Sequence, residues 1–363
     1  MLSLLSKCEG IDRLLPRFRE RPVHLALTLA AAGYALLFVA YRVSATVFAH
    51  QRAASLVPPA IPDVLSLVST FEMVWLLPLI PLLAAAILLR ARAAGVVVLL
   101  VGLPFMAYYA PLFLPHPKSS APASLTVMTH NILVSNRDAE QLAQNIRANA
   151  PDVIALQELT PAMASRLQPL LASEYPYRLI NGAQGLGLYS RYPIRGASVL
   201  TLGPENSFAQ RVTLDTPDGP LTVYNAHPRN PDITWGKWRG RWPYVVDFDP
   251  TRRDLAVNHL ADLVAREHGP LLIVGDLNLS EHNAAYARLT SSLRDAHREA
   301  GHGLGATFPV APVDSIRLPF PVIRIDYVLY SSDFQAIDSY NANAAGSDHR
   351  PVVARLSRTA YLS

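Results

Sequence analysis

The sequence predicts an α/β fold: three transmembrane helices, then a domain whose sheets pack together with helices outside. Two observations predict it. Half of the 363 residues are apolar and only 17% are charged, and the apolar excess is concentrated in the first third. Beyond that third, short strand patterns alternate with amphipathic helical ones, the signature of layered α/β architecture.

The apolar third contains three uncharged runs: Val23 to Tyr41, Met73 to Leu89, and Ala93 to Leu114. A spanning helix takes roughly 20 apolar residues, with a range of ~17–25, so all three qualify, the second narrowly. A cleaved signal peptide does not fit, because the first run is long, starts late and is followed by two more. Basic residues favour the cytoplasmic side. Lys7, Arg13, Arg17, Arg19 and Arg21 precede the first run, and Arg90 and Arg92 separate the second from the third. Three crossings then place everything after Leu114 outside the cytoplasm, in the periplasm or beyond the cell. Trp75, Tyr108 and Tyr109 fall at the expected outer interface.

The expected domains are therefore a membrane domain at 1–114, a linker at 115–123 and an outer domain at 124–363. Prolines and small polar residues make up the linker, Pro115-His116-Pro117-Lys118-Ser119-Ser120-Ala121-Pro122. The single cysteine, Cys8, is expected in the cytoplasm, so no disulfide supports the outer domain. The formal net charge of +4 is too mild to argue for a nucleic-acid partner. The Ala- and Arg-rich composition points to a bacterial source.

Within the outer domain, strands are expected at Ser124–Met128, Asp152–Leu156, Gly187–Ser190, Ala197–Leu200, Gln210–Leu214, Leu221–Asn225, Leu271–Val274, Ile323–Tyr330 and Pro351–Leu356. Thr216-Pro217-Asp218-Gly219 makes a hairpin of the two around it. Helices are expected at Ala139–Ala148, Thr160–Leu171 and Arg252–Arg266.

Polar groups collect where these strands end. Glu158 follows Asp152-Val153-Ile154-Ala155-Leu156. A carboxylate at the mouth of a buried strand is costly unless it is solvated, paired or bound to a cation. A hard cation such as Mg²⁺ takes one or two carboxylates and shares its remaining sites with water and phosphate oxygen. Asp276 and Asn278 follow the strand that ends at Gly275. Asp326 lies in the apolar Arg324-Ile325-Asp326-Tyr327-Val328, and His349 in Ser347-Asp348-His349 is its natural partner. His227 and Asn131 also stand at strand ends. Each piece alone has a plain alternative: a helix N-terminal acid for Glu158, an Asx turn for Asp276, a surface loop for Asp348-His349, polar caps for the others. The ordered set is what points to a magnesium-dependent site for cutting phosphate esters.

That set resembles the endonuclease/exonuclease/phosphatase superfamily, which includes DNase I-like nucleases, inositol-polyphosphate phosphatases and neutral sphingomyelinases. The resemblance runs from about Leu125 to Leu356. It rests on Asn131, Gln157-Glu158, Asn225-Ala226-His227, Gly275-Asp276-Leu277-Asn278, Ile325-Asp326-Tyr327 and Ser347-Asp348-His349, in family order. Gly187-Leu188-Tyr189-Ser190-Arg191 and Thr307-Phe308 match secondary signatures. The resemblance implies a four-layer α/β/β/α sandwich. It implies Glu158 as the main metal ligand, with Asn131 and Asp348 on the same metal, Mg²⁺ first and Mn²⁺ second. It also implies Asp276 orienting or deprotonating the attacking water, Asn278 positioning phosphate, His349 polarising a phosphate oxygen with its ring fixed by Asp326, and His227 at the leaving group. His130 departs from the family, where an aromatic is more usual.

After His227 comes an insert with Trp235, Lys237, Trp238, Arg239, Arg241 and Trp242. It is expected to overhang the site, with Arg229, Trp235, Trp238 and Arg239 as substrate contacts. Tryptophan beside arginine suits a membrane interface with anionic head groups, base stacking in a nuclease, or a loop with its own small core. The expected function is a membrane-anchored phosphoesterase acting outside the cytoplasm on phospholipid head groups or other phosphate esters. An extracytoplasmic nuclease and a non-catalytic binding module are the other readings. The bilayer and the phosphate ester are the expected partners, with no protein partner inferred. A transporter is disfavoured because no run carries an acid–base pair.

Overall fold

The computed structural model describes residues 15–52, 66–72, 77–115, 123–203, 206–238, 242–311 and 318–359. Cys8, Trp75 and most of the linker lie outside them. The chain divides into two compact units, Met1–Pro111 and Leu112–Ser363.

In the first unit, α1 spans Leu15–Arg52, α2 Leu79–Leu88 and α3 Arg92–Tyr109, the last extended by a 3-10 turn at Ala110–Phe113. Among the described residues two stretches are long and apolar enough to cross a membrane, Pro22–Val43 and Arg92–Phe113, each of 22 residues. Of the second apolar run, residues 73–76 lie outside the described residues. Its described helix has 10 residues, about 15 Å at ~1.5 Å per residue, half of a ~30 Å hydrocarbon core. Pro78 stands at its N-cap and Pro81 in its first turn. Proline lacks the N–H that would continue a helix through it, so the helix begins there. Arg42 Nη1 donates to both Glu72 carboxylate oxygens, at 2.8 and 3.0 Å, and the Tyr41 hydroxyl donates to Ser69 at 2.9 Å.

The second unit is built on two six-stranded sheets and a hairpin. In chain order the strands are β1 (Leu125–Asn131), β2 (Val153–Gln157), β3 (Tyr177–Asn181), β4 (Leu186–Ser190), β5 (Ile194–Thr201), β6 (Phe208–Thr216), β7 (Gly219–His227), β8 (Asp232–Trp238), β9 (Trp242–Asp249), β10 (Leu271–Asp276), β11 (Arg294–Asp295), β12 (Asp326–Tyr330), β13 (Phe334–Asn341) and β14 (Val352–Arg358). The helices are α4 (Ala139–Asn149), α5 (Pro161–Leu171), α6 (Thr251–Val264), α7 (Ala284–Leu289) and α8 (Ala296–Ala300). One sheet has the order β13-β14-β1-β2-β4-β3, the other β11-β12-β10-β7-β6-β5, and β8-β9 stand apart.

Side-chain alternation assigns the layers. Leu125, Val127, Val153 and Ala155 of the first sheet pack with Val212, Val223, Leu272, Val274 and Val328 of the second in one buried cluster. These are the inner faces of a sandwich. The intervening residues point outward: Met128, Ile154 and Leu156 pack under α4 and α5, and Tyr224, Ile273 and Leu329 under α6 and α7. The result is a four-layer α/β/β/α arrangement. Local signals fix the helix starts. The Asp138 side chain caps α4 through the Gln141 amide, and Thr160 caps α5 through the Met163 amide with Pro161 at the first helical position.

Every helix and strand expected in this unit is present within a few residues, except that Ile323–Tyr330 begins as a strand only at Asp326. The edge strand β3, strand β13 and the short α7 and α8 were not expected. The insert after His227 is a β-hairpin rather than an irregular loop, with Asp232 opposite Asp249 and Trp238 opposite Trp242.

Candidate active site

The same alternation that fills the core also builds the site. Along β1, Leu125 and Val127 face inward, so Asn131 does too. The same parity turns Gln157 on β2, Asn225 and His227 on β7, Asp276 on β10 and Asp326 on β12 toward the gap between the sheets. Register brings them level. Asn131 pairs with Gln157, and Asp276 lies directly opposite Asp326. The apolar core thus ends, at one edge of the sandwich, in a floor of acids, amides and imidazoles.

Asp276 is the centre of that floor and is 1% exposed. Its Oδ2 accepts from the Asn131 amide at 3.0 Å and lies 3.8 Å from both His227 Nε2 and His349 Nε2. Its Oδ1 accepts from the Asn278 backbone N–H at 2.8 Å. The Asx turn is therefore real, and it leaves the second oxygen for the cleft. The same Asn131 amide donates to Glu158 Oε1 at 3.0 Å, while Glu158 Oε2 accepts from the Val134 N–H at 2.7 Å. One NH₂ group thus bridges two carboxylates, Glu158 and Asp276, and stands where a cation would satisfy both. Asn131 Oδ1 is turned the other way, onto the Leu133 N–H at 3.1 Å.

His349 Nδ1 and Asp326 Oδ2 are 2.9 Å apart, which fixes the imidazole and aims Nε2 at Asp276. Phe308 packs against the ring, centroid to centroid 4.7 Å. Asp276, Asp326 and His349 offer ligand atoms that all lie within 4.8 Å of one another, a group able to hold a metal ion. Asp348 is half-buried beside this group, and its backbone carbonyl accepts from Val310 at 2.7 Å.

The electrostatics follow from burial and like charge. Burial, reinforced by Asp326 opposite, pushes the Asp276 carboxyl up to about 7, against the pull of His349 and Asn131. Burial disfavours charge on His349, but the Asp326 and Asp276 carboxylates outweigh it and lift the imidazole to about 10. Burial depresses His227 and lowers His130 to about 4. Burial also raises Asp348. At neutral pH the cleft holds one imidazolium, His349, and one neutral imidazole, His227. Asp276 and His349 are both raised above their ordinary values of 3.8 and 6.5. The folded chain then binds more protons than the unfolded chain, between 3.8 and about 7 for Asp276 and between 6.5 and about 10 for His349. Stability is expected to fall as pH rises through both windows. Thermal melting of metal-free protein between pH 6 and 9 checks this: a flat or rising melting temperature would contradict it.

Backbone strain gathers around the same cleft. Leu133, Glu158, Asn278 and Ala345 all have positive φ, at 65°, 58°, 54° and 47°. Residues with a Cβ avoid that region, and it persists where surroundings over-determine it. Here the Val134, Leu133 and Asn278 N–H groups each anchor to a site side chain.

Of the expected substrate contacts, Arg229 is tied to Asp232 at 2.7 Å. Trp235 lies on β8 and is 44% exposed. Trp238 ends β8; its side chain and all of Arg239 lie outside the described residues.

Sequence reading missed a buried amide ladder behind the site. Gln157 donates to Asn225 Oδ1 at 2.7 Å, and Asn225 donates to Gln210 Oε1 at 2.9 Å and to the Leu156 and Gly187 carbonyls. This ladder joins the two sheets beneath the acids. It also missed Arg324, buried between Asp295 and Glu281 and lying over the Tyr327 ring. The available signal was parity: a polar residue in register with core valines must find a buried partner.

Residues 128–349 match the family described as the Endonuclease/Exonuclease/phosphatase family. That is more than half of the chain. The chain belongs to the endonuclease/exonuclease/phosphatase family. As a family member it is a hydrolase acting on phosphoester bonds. Solved structures similar in fold include an endonuclease/exonuclease/phosphatase from Bacteroides vulgatus, at 17% identity and TM-score 0.51 over 65% of this chain and 99% of that one. A second is TDP2 from D. rerio complexed with single strand DNA product, at 14% identity and TM-score 0.51 over 64% of this chain and 98% of that one. A functionally unknown conserved protein from Enterococcus faecalis V583 aligns at 16% identity and TM-score 0.50, over 65% of this chain and 100% of that one. No curated protein matches the chain significantly.

Proposed function

We propose that this family member is a membrane-anchored, Mg²⁺-dependent phosphoesterase that hydrolyses phosphate esters outside the cytoplasm, with phospholipid head groups as its substrate. The observation that carries the metal-dependent chemistry is the Asn131 amide bridging Glu158 and Asp276, 3.0 Å from each, in view of two histidines. The donor set is all oxygen on that side, which suits a hard cation.

Glu158, Asn131 and Asp348 would hold the ion, Asn131 after turning its amide oxygen inward. When bound, Mg²⁺ neutralises phosphate charge and favours the displaced oxygen. The protein residues do the rest. Asp276 Oδ2 accepts the proton of the attacking water. His349, cationic and locked by Asp326, donates from Nε2 to a phosphate oxygen. Asn278 orients the phosphate, and neutral His227 meets the leaving-group side. Because Asp276 must be ionised, kcat/KM is expected to rise tenfold per pH unit on the acid side, with a limb at or below about pH 7. A pH-rate profile lacking that limb would remove Asp276 from the role.

The membrane reading rests on the two long apolar stretches, whose outward faces carry Leu29, Leu36 and Leu37 on α1 and Leu100, Leu103 and Met106 on α3. An all-round apolar helix suits lipid. The outer location needs the second apolar run, which contains the helix Leu79–Leu88, as a third crossing. Two crossings would return the site to the cytoplasm. The exposed Ile233, Trp235 and Val246 of the β8-β9 hairpin support a lipid surface.

One comparison tests the substrate: full-length protein in detergent with Mg²⁺, offered phospholipid vesicles, plasmid and RNA. Faster release of head group is expected. Faster cleavage of nucleic acid would install the nuclease reading, for which exposed Trp235 is the stacking surface. A reporter fused after Leu114 should be active only outside the cytoplasm; activity inside would overturn the three-crossing topology.

A further inference from the structure

Among the described residues, Arg253 is one of the largest side chains with no solvent exposure at all. It lies on the stripe of α6 formed by Arg253, Ala256, Val257, Leu260, Ala261 and Val264, and every other member of that stripe is apolar. An arginine is rarely placed there unless something pairs it. Its Nε and Nη2 donate to Asp254 Oδ1 at 2.8 and 2.7 Å. Its Nη1 reaches out of the helix and donates to the backbone carbonyl of Asn278 at 3.1 Å.

Asn278 is held from several sides. Its φ is +54°, a left-handed conformation that asparagine adopts more readily than other residues with a side chain. Its N–H is held by Asp276 and its side-chain amide donates to the Pro228 carbonyl at 2.9 Å. Arg253 supplies the third tether, a charge-assisted hydrogen bond in a dry setting, where such bonds are strong. We propose that Arg253 is a positioning residue: through the Asn278 carbonyl it holds the left-handed turn that aims both the Asn278 amide and the Asp276 carboxylate into the cleft. This rests on the phosphoesterase reading above. If the side chain only filled the core, methionine, of similar length, would replace it.

The test uses the full chain in detergent with Mg²⁺ and bis(p-nitrophenyl) phosphate, comparing Arg253→Met, Arg253→Lys, Asn278→Ala and the double variant Arg253→Met with Asn278→Ala. A small misplacement of reacting groups costs on the order of 100-fold, so Arg253→Met should lose about that much in kcat, and Arg253→Lys, which keeps the cation, about tenfold. KM should stay within about threefold of wild type. The double variant should be no more than about threefold worse than Asn278→Ala alone, since both changes act through one turn. Unchanged kcat in Arg253→Met, multiplying losses in the double variant, or full activity in Asn278→Ala would each overturn the proposal. If Arg253→Met does not fold, the same cycle with Arg253→Lys decides. Hydrogen exchange over 275–279 gives a readout independent of turnover: faster exchange confined there in Arg253→Lys is expected, and unchanged exchange would overturn the role. A wild-type chain inert toward every phosphoester would sink the phosphoesterase reading, while the exchange result would still judge Arg253.

Discussion

Asp276→Asn is expected to lower kcat/KM about 10³-fold, within the range typical for removing a general base, while leaving the protein folded. The substitution keeps shape and removes charge. Asp276 faces Asp326 across the β10-β12 pair and is almost fully buried. Its carboxyl sits at about 7, so ionising it inside the fold is already unfavourable. Neutralising it relieves like-charge repulsion. It also exchanges one acceptor for a donor facing the Asn131 amide, a loss of roughly 1 kcal/mol for one hydrogen bond. The two effects oppose, so the melting temperature should move by only a few degrees, about what 1 kcal/mol does in a domain of this size. Steady-state kinetics with a melting curve on the same sample checks both. Near wild-type activity would remove Asp276 from the reaction; a large fall in melting temperature would make its role structural.

Gly275→Ala is expected to prevent folding of the second unit, with a cost of about 4 kcal/mol or more, the scale reserved for backbone clashes and severe strain. Gly275 has φ +149°, and a Cβ there would sit 1.9 Å from the Ala226 carbonyl oxygen and 2.9 Å from its carbon. Both neighbours are backbone of β7, which pairs with β10 at that register. No rotamer change can relieve the contact. The close approach is what brings His227 and Asp276 to the same end of adjacent strands. Soluble yield and melting of Gly275→Ala measure this, with Gly196→Ala as control, because a Cβ at Gly196 meets nothing within 4 Å. Wild-type stability in Gly275→Ala would show that β7 and β10 can separate without loss.

Much of the second unit was legible because its signals are local. Apolar alternation in Val153-Ile154-Ala155-Leu156 and Leu271-Leu272-Ile273-Val274 marks strands buried on both faces. The Asp138 and Thr160 caps mark helix starts. Strand β3 escaped because, as an edge strand, it lacks that run. The β8-β9 hairpin escaped because its turn carries no strong two-residue signal and its strands mix tryptophan with charge. The second apolar run was read as a span from composition alone; its described helix, Leu79–Leu88, has 10 residues.

By itself, the sequence determined which groups the cleft contains. Glu158, Asp276, Asp326 and His349 stand at strand ends, and the order of their motifs is the family's. Only the tertiary structure decided how they meet. The Asn131 amide lies between two carboxylates, two imidazoles converge on one oxygen of Asp276, and Arg253 reaches from a helix to the Asn278 carbonyl. The physical reason is distance along the chain. Parity and capping act over a few residues and are written locally. The contacts that set charge and geometry in the cleft join Asn131 to Asp276 across 145 positions, and they form only when two sheets close on each other.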